Sequence, residues 1–235
     1  MNHLKSLLGI ELSPVSYREK LVSMAGGLVS ILFLTLVTER MLHLSGATAV
    51  IASMGASAVL LFAVPHGQLS QPWPVLAGHV FSALIGVICA KWIPGPQLAA
   101  AFAVSLSIGM MHHLKCIHPP GGATALTAVL GGGAIHEMGF RFVVFPVLVN
   151  CVLMIGIAVA FNVFFGWRRY PAMLGQRAIP AQPGAPSHED IVEALKSIDT
   201  FVDVSEDDLI LLSQLLTKDH GTSLIGGRNE LPAPQ

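Results

Sequence analysis

Long apolar stretches separated by short polar breaks dominate the first three quarters of the chain. Two of them are long enough to cross a bilayer: Leu21–Leu42, about 33 Å at 1.5 Å per residue, and Phe142–Phe165, about 36 Å. Val75–Ile93 is a third candidate, and the shorter Gln97–Met111 can span if it is tilted. The pattern therefore predicts four long transmembrane helices.

Two further apolar segments consist mainly of small residues. They are Gly46–Val64 and Gly121–Gly133, and each lies between two of the long helices, so that the chain reads as two similar halves. If both segments are re-entrant, there are four spans and the halves are parallel repeats. If both are half helices that complete a crossing, there are six spans and the halves are inverted repeats. The sequence leaves both topologies open.

The last quarter of the chain has a different character. A linker rich in Pro, Gly and Ala covers residues 176–186, and residues 187–235 are acidic with apolar residues at helical spacing. We therefore expect an all-α membrane protein with an interfacial segment at 1–20, a transmembrane domain at 21–175, and a soluble helical hairpin at 187–235.

Composition supports this assignment to the membrane. The chain is 53% hydrophobic and only 11% charged, whereas soluble domains carry about 25% charged residues. An ordinary soluble enzyme is therefore excluded. The net charge is −1 and no run of Lys or Arg occurs, which argues against a nucleic-acid partner.

Charge is distributed unevenly along the chain. Residues 1–187 contain ten basic and four acidic residues, whereas residues 188–235 contain three basic and ten acidic ones. Because cytoplasmic loops are enriched in Lys and Arg, we expect both termini in the cytoplasm and the protein in the inner cell membrane. The basic residues that set this orientation are Lys5, Arg18, Lys20, Arg168, Arg169 and Arg177. Trp167 and Tyr170, beside Arg168 and Arg169, complete an expected aromatic and basic interface anchor.

The membrane core lacks carboxylates. From Arg40 to His136, both included, there is no Asp or Glu, although this stretch holds three basic residues and seven of the ten histidines. Cation and proton transporters usually place Asp or Glu in the membrane. A small anion instead needs hydrogen-bond donors and no nearby carboxylate, since like charges repel strongly at low dielectric. The core therefore favours a small inorganic, monovalent anion as its guest.

Two places supply such donors. Pro119 and Pro120 suit the first turn of a helix, whose open backbone N–H groups and positive dipole end attract anions. The equivalent place in the first half is Gly55, which lies between Ser53 and Ser57. Two broken helices are therefore expected to meet near the midplane of the membrane. The expected substrate-binding residues are His118, Pro119, Pro120, Gly121, Gly122, Ala123, Thr124, Ser53, Gly55, Ser57, His79 and Lys115.

Each of these features also has a purely structural interpretation. Small residues in membrane helices often serve close packing, and Pro-Pro-Gly-Gly can be a simple turn. His79 can be a hydrogen-bonded interior histidine, and Lys115 a snorkelling anchor. The three cysteines form no disulfide framework, and the grouping of Cys116 with His112, His113 and His118 matches no zinc spacing. We therefore expect no metal, cofactor or catalytic residue.

The most specific string is His118-Pro119-Pro120-Gly121-Gly122-Ala123-Thr124-Ala125-Leu126. It resembles the signature of the HPP family of integral membrane proteins. The resemblance extends upstream through residues 55–62, Ser70-Gln71-Pro72 and Gly78-His79-Val80, and covers roughly residues 20–170. It implies a multi-spanning membrane protein, usually of four spans. Plastid members of plants are associated with nitrite transport, which makes nitrite the first candidate substrate.

The sequence thus leads to one main hypothesis and two rivals. The main hypothesis is a passive or proton-coupled transporter or channel for a small monovalent anion, assembled as a homodimer and not an enzyme. The first rival is a membrane anchor or sensor that acts through the acidic tail. The second is a histidine-based membrane metalloenzyme, which the lack of core carboxylates disfavours.

Overall fold

The computed structural model describes residues 15–42 and 52–175, together with the single positions 204, 209, 210 and 212. This part of the chain folds into helices joined by short turns. The helices are α1 (Tyr17–Leu42), α2 (Ser53–Ala63), α3 (Pro72–Trp92), α4 (Pro96–His113), α5 (Pro120–Leu130), α6 (Gly133–Met138) and α7 (Val149–Asn162). A π-helical turn, Val143–Leu148, leads directly into α7.

Three helical segments of the described residues are long and apolar enough to cross a membrane: Tyr17–Arg40, Pro72–Trp92 and Val143–Asn162. These confirm three of the expected long helices. The fourth, α4, forms as an 18-residue helix but is not among those three. The two small-residue segments form α2 and α5, which are apolar and have 11 residues each.

Local sequence explains where the helices begin. Ser16 caps α1, because its side-chain oxygen accepts a hydrogen bond from the Glu19 backbone N–H at 3.2 Å. Helices α3, α4 and α5 each begin with a proline, whose missing N–H costs nothing in the first turn. Gly95, which precedes α4, has φ of +84°, a backbone conformation that favours glycine.

The helices run between two ends of the bundle, which we call the Arg168 end and the Trp92 end. Helix α1 starts at the Arg168 end, where Arg168 contacts Glu19 at 2.7 Å. Helix α3 starts there too and finishes at Trp92, whose ring centroid lies 6.3 Å from that of Phe140. Helix α4 returns, since the Trp73 indole N–H donates to the Leu114 carbonyl just beyond its end (3.1 Å). The π-helical turn and α7 then run from the Trp92 end back to the Arg168 end.

The short helices α2 and α5 run in opposite directions. The last turn of α2 lies at the Arg168 end, where the Phe62 carbonyl accepts a hydrogen bond from Arg168. Helix α5 lies parallel to α3: Gly121 packs on Gly78, and Ala125 packs on Gly86. Both short helices therefore begin inside the bundle, and their first turns lie side by side.

Buried apolar side chains from α1, α2, α3, α5 and α7 form the main core, with Phe62, Phe142 and Met154 fully enclosed. A second cluster of small residues joins α3, α4 and α5. The outward face of α1 is apolar and exposed, including Met24, Leu28 and Leu32. Such a surface suits lipid rather than water.

The structure adjusts several expected boundaries. Helix α1 begins at Tyr17, inside the segment 1–20 that we expected to be interfacial, and the short helix α6 was not foreseen. Of the acidic tail, only positions 204, 209, 210 and 212 are described, and the last three are helical. The rest of the expected hairpin, the linker 176–186, and residues 43–51 lie outside the described part.

Close packing of α3 against α5 predicts a sharp difference between two glycines. A Cβ on Gly86 would lie 2.7 Å from the Ala125 carbonyl oxygen, whereas one on Gly109 would meet nothing within 4 Å. Overpacking costs about 1–3 kcal/mol, and replacing a helical glycine by alanine otherwise gains about 1 kcal/mol. Gly86→Ala should therefore lower the melting temperature in detergent, and Gly109→Ala should leave it unchanged or raise it. Equal melting temperatures would contradict this packing.

Candidate functional site

Five polar side chains that are almost completely buried meet where the short helices begin. Their relative exposures are 0–2%, although the surrounding core is apolar. Two come from α2, one from α3, one from the loop before α5 and one from the first turns of α5. We call them the polar cluster: Ser53, Ser57, His79, His118 and Thr124.

Two glycines let the backbones approach closely enough to bring these side chains together. A Cβ on Gly78 would lie 2.7 Å from the His118 Cβ. A Cβ on Gly121 would lie 2.6 Å from the Gly78 carbonyl oxygen. Any larger residue at either position would push the His118 loop and α5 away from α3. The spacing of Ser53 and Ser57, one helical turn apart, places both hydroxyls on one face of α2.

Ser57 is the centre of the cluster. Its hydroxyl lies 2.8 Å from His79 Nε2 and 2.9 Å from His118 Nε2, so one oxygen joins the two imidazole rings. His79 Nδ1 lies 2.6 Å from the Thr124 hydroxyl. The Ser53 hydroxyl lies 2.8 Å from that same Thr124 oxygen. These bonds link α2, α3, α5 and the His118 loop through side chains alone.

The partners fix where the hydrogens lie when both histidines are neutral. His118 Nδ1 faces the Leu69 carbonyl oxygen at 2.7 Å, so it must carry the hydrogen, and Nε2 must accept from Ser57. The Ser57 hydrogen then points to His118 Nε2 at 2.9 Å rather than to the more distant Ser53 carbonyl at 3.3 Å, so His79 must donate through Nε2. His79 Nδ1 in turn accepts from Thr124, and Thr124 accepts from Ser53. The result is a single hydrogen-bond chain in which every donor points from Ser53 towards Leu69.

The electrostatic setting of the cluster is positive rather than negative. No Asp or Glu side chain is among its hydrogen-bond partners, in agreement with the carboxylate-free sequence. The N-terminal ends of α2 and α5 overlap here, and a helix N-terminus is equivalent to about half a positive charge. Among the described residues, the site can therefore donate hydrogen bonds without a carboxylate nearby.

The backbone amides that the sequence offered as anion donors are already engaged. The Gly121 N–H donates to the His118 carbonyl at 2.8 Å, and the Gly122 N–H donates to the Pro119 carbonyl at 3.0 Å. The side chains of the polar cluster, rather than these amides, are thus the polar groups of the site.

The expected site residues separate into two groups in space. Pro120 and Gly121 are buried beside the cluster. Pro119 and Gly122 instead line an apolar surface groove of about 270 Å³ together with Ile108. The remaining expected residues are exposed and contribute nothing to the cluster: Gly55, Lys115 and Ala123.

Sequence reasoning missed two members of the site. Ser82 is fully buried on α3, and its hydroxyl has no hydrogen-bond partner among the described residues. It borders the first turn of α5, since a Cβ on Gly121 would lie 3.0 Å from the Ser82 oxygen. Its position three residues after His79, on the same helical face, was the available signal. The other is the Leu69 carbonyl, which no residue-type pattern reveals.

A second buried polar network closes the Arg168 end. Arg168 is 1% exposed and pairs with Glu19 at 2.7 Å. It also donates to Asn162 at 3.2 Å, to Ser23 at 3.1 Å, and to the Phe62 carbonyl. Burial lowers the pKa of the Arg168 guanidinium, and the Glu19 carboxylate opposes that effect. The guanidinium thus ties α1 and α7 to the final turn of α2.

Tyr170 belongs to the same buried end. Its hydroxyl donates to the Ser70 carbonyl at 2.8 Å, and the Ser70 hydroxyl contacts the Leu60 and Val64 carbonyls at 3.0 and 2.7 Å. Burial raises the pKa of the Tyr170 phenol above its usual range. The expectation that Arg168 and Tyr170 are interface anchors is therefore wrong, because the ion pair with Glu19 holds Arg168 inside and the hydrogen bond to Ser70 holds Tyr170 inside. Trp167 and Arg169, in contrast, are exposed.

The metal-like grouping in the sequence does not converge in space. Cys116 and His118 are buried, whereas His112 and His113 are exposed at the end of α4. Within the described ranges, no three His, Cys, Asp or Glu side chains come together as a metal-binding group. Cys89, Cys116 and Cys151 are free and buried.

Comparison with known proteins gives one family. Residues 12–171 match the sequence model of the HPP transmembrane region. Two transmembrane proteins of Dictyostelium discoideum are similar: one is 39% identical over 125 residues, and the other is 35% identical over 177 residues. The alignments cover 52% and 73% of this chain, and 44% and 57% of those proteins, so the chain spans about half the length of these relatives. No solved structure matches significantly.

The buried ion pair predicts that two adjacent arginines differ in their effect on stability. Arg168→Met removes the partner of the Phe62 carbonyl and leaves the Glu19 carboxylate with the Trp167 indole N–H at 2.9 Å but no counter-charge. Breaking a buried pair costs about 3–5 kcal/mol. The free energy of unfolding should fall by at least about 2 kcal/mol, because Glu19 keeps some contact with water. Arg169→Met, next to it and exposed, should leave stability unchanged. Thermal unfolding in detergent measures both, and equal effects would contradict the assignment.

Proposed function

The chain belongs to the HPP family of membrane proteins, and from that premise we propose that it is a transporter or channel for a small monovalent anion. The polar cluster is its permeation constriction, and the proposal assigns it no enzymatic role. One observation carries the proposal: five buried hydroxyl and imidazole groups, without a carboxylate, meet at the overlapping N-terminal ends of two short helices.

Buried hydroxyl and imidazole groups in an apolar core need an explanation. Burying a polar group costs free energy unless it is hydrogen-bonded, and replacing a bonded pair by apolar groups can be nearly neutral. Simple cohesion between α2, α3 and α5 would be served as well by apolar side chains. A cluster of donors is required, however, when a hydrated anion must exchange water for protein groups inside the membrane.

The chemistry of the site favours an anion over a cation. Ser82 offers a free hydroxyl next to the start of α5. The hydroxyls of Ser53 and Thr124 can turn towards a guest, and both helix dipoles present their positive ends. A cation would lack a counter-charge here. Nitrite is our first candidate substrate, because the resemblance to nitrite-transporting plastid members implies it.

The arrangement of the helices supports the inverted-repeat topology. Helices α1, α2 and α3 form the first half of the proposed pseudo-symmetric unit, and α4, α5 and α7 form the second. Helices α2 and α5 have equal length and opposite direction, as inverted halves require. Each would complete one crossing of a six-span protein, with α4 as a full span.

The orientation and assembly that we propose follow from charge and exposure. The start of α1 and the segment after α7 meet at the Arg168 end, so both termini of the membrane domain lie on one side. Positive charge on that side favours the cytoplasmic face of the inner cell membrane. A homodimer remains a prediction, with the exposed apolar face of α1 as one available surface.

One contact favours a second function for the acidic tail. The Gln68 side-chain amide donates to the Val204 carbonyl at 2.9 Å. Gln68 precedes Leu69, whose carbonyl ends the hydrogen-bond chain of the cluster. A tail that senses a partner would therefore be connected to the site. Removal of residues 187–235 separates the two functions. If the protein is a transporter, the truncated protein keeps its anion flux; if it is a sensor, the truncated protein loses its response.

The direct test is anion flux into liposomes that contain only this protein. We expect nitrite to enter faster than into empty liposomes, and nitrate and formate serve as further members of a small-anion panel. Sulfate, a divalent anion, and rubidium, a cation, should not enter faster. Failure of nitrite, nitrate and formate together would overturn the proposal.

Two threonines one turn apart on α5 give a matched pair of variants. Thr124→Val removes the hydroxyl that joins Ser53 to His79 and should lower nitrite flux at least about tenfold, since one hydrogen bond to a charged guest is worth about 1.5–3 kcal/mol. Thr127 bonds only to its own helix, at the Ala123 carbonyl. Thr127→Val should therefore keep flux within about twofold of the wild type. Equal flux in both variants would contradict a constriction at the cluster.

A further inference from the structure

We infer that each anion crosses together with one proton, which the chain His79–Ser57–His118 accepts and releases. This inference rests on the proposed function and specifies its coupling. It is drawn from the order of hydrogen-bond partners in the polar cluster.

The chain can pass a proton because each member both donates and accepts. A proton that reaches the Ser53 oxygen lets Ser53 give its own hydrogen to Thr124, which gives its hydrogen to His79 Nδ1. His79 then releases its Nε2 hydrogen to Ser57, and Ser57 gives its hydrogen to His118 Nε2. Every residue except His118 ends with its original number of hydrogens, although the His79 hydrogen has moved from Nε2 to Nδ1, and His118 has become a cation.

The Leu69 carbonyl decides where the added proton stays. It lies 2.7 Å from His118 Nδ1 and can only accept, so the Nδ1 hydrogen is held there in both states. After the transfer, every hydrogen bond from His118 to Ser53 points the opposite way. The proton leaves by the reverse sequence or by release of the Nδ1 hydrogen when that contact opens. After the second route the rings and hydroxyls must turn back before the chain accepts another proton at Ser53. The cluster thus has two states, which differ by one proton and by the direction of the chain.

Charge balance sets the stoichiometry at one. An imidazolium without a partner is costly in a buried site, and so is an anion without a partner. When an anion and a proton are bound together, the site is neutral. Because Ser57 is shared between both rings, a second protonation would place two cations on either side of one hydroxyl, with ring centroids 4.9 Å apart. A stoichiometry of one proton per anion is therefore favoured.

No other described charge replaces that proton. Helices α2 and α5, which pack directly on the histidines, contain no titratable residue, and α4 contributes the Met111 sulfur to the His118 amide at 3.5 Å. None of the surrounding elements, α3 and α4 with the loops 64–71 and 114–119, carries a carboxylate. The titratable residues on these elements, besides the two histidines of the cluster, are the buried Cys89 and Cys116, the half-buried His66, and the exposed Lys91, His112, His113 and Lys115. On other elements, Cys151 of α7 is buried, and Arg168 contacts the far end of α2.

The two ends of the chain face opposite ends of the bundle. Ser53 follows the exposed Ala52 and starts α2, on the side that faces the Trp92 end. Leu69 is half-buried in the loop before α3, at the Arg168 end. A proton that moves along the chain therefore moves across the constriction, in the same direction as a permeating anion.

The test measures sodium nitrite uptake and lumenal pH together in proteoliposomes that contain a pH-sensitive dye. Rates in empty liposomes are subtracted, because undissociated nitrous acid crosses lipid. We expect protein-dependent uptake to acidify the lumen by about one proton per nitrite. A membrane potential of about 60 mV, set with valinomycin and potassium, should leave the uptake rate unchanged, because an anion and a proton together carry no net charge. If the anion crossed alone, the same potential would change its accumulation about tenfold.

A single hydroxyl tests the route of the proton. Ser57→Ala removes the oxygen between the two rings, and we expect uptake driven by a pH gradient to fall at least tenfold. Ser57→Thr keeps the hydroxyl and should restore part of the uptake. Ser105→Ala, at an exposed serine that bonds only to its own helix, is the control for substitution itself. Size-exclusion chromatography and circular dichroism report folding, and the wild-type stoichiometry stands even if Ser57→Ala does not fold.

The outcomes separate the two proposals. If no small anion crosses, the proposed function fails. If nitrite crosses without acidification and follows the membrane potential, transport stands and proton coupling is overturned. If Ser57→Ala folds and keeps pH-driven uptake, the assigned route is wrong.

Discussion

One shared hydroxyl holds the centre of this protein together. Ser57 contacts both His79 and His118, and these contacts connect the short helix α2, the long helix α3 and the loop that precedes the short helix α5. No carboxylate of the described residues takes part, and with both histidines neutral the Leu69 carbonyl, which can only accept, makes all the bonds run in one direction. A charged centre would be costly to bury, whereas in this hydrogen-bond chain each donor is matched by an acceptor on the next side chain.

The surrounding packing maintains that chain. Gly78 and Gly121 allow the backbones to approach, so that His118 can reach α2 and α3. At the other end of α2, Arg168 and the Tyr170–Ser70 pair hold the final turn. Helix α2 is therefore fixed at both ends by polar contacts, which is unusual for a helix in an apolar core.

The sequence predicted the helices and most of the cluster for simple physical reasons. Apolar length identified the long helices, and Pro119 and Pro120 identified the start of the second short helix. Ser53, Ser57, His79, His118 and Thr124 were all expected at the site. Three-dimensional contacts decided the rest. The spacing of Ser82 from His79 was its only signal in the sequence, the Leu69 carbonyl has no residue-type pattern, and Arg168 resembles an interface anchor until Glu19 is seen beside it. Gly55 and Lys115 were expected at the site but are exposed, because residue type alone does not fix which way a position faces.

The account depends most on the direction of the hydrogen-bond chain, and histidine tautomers report it. Nitrogen-15 solid-state NMR of the histidine-labelled protein in lipid at neutral pH, with assignment by single His→Gln variants, measures which ring nitrogen carries the hydrogen. The account predicts a neutral His118 protonated at Nδ1 and a neutral His79 protonated at Nε2. Two rings with the same tautomer, or a permanently charged pair, would contradict it.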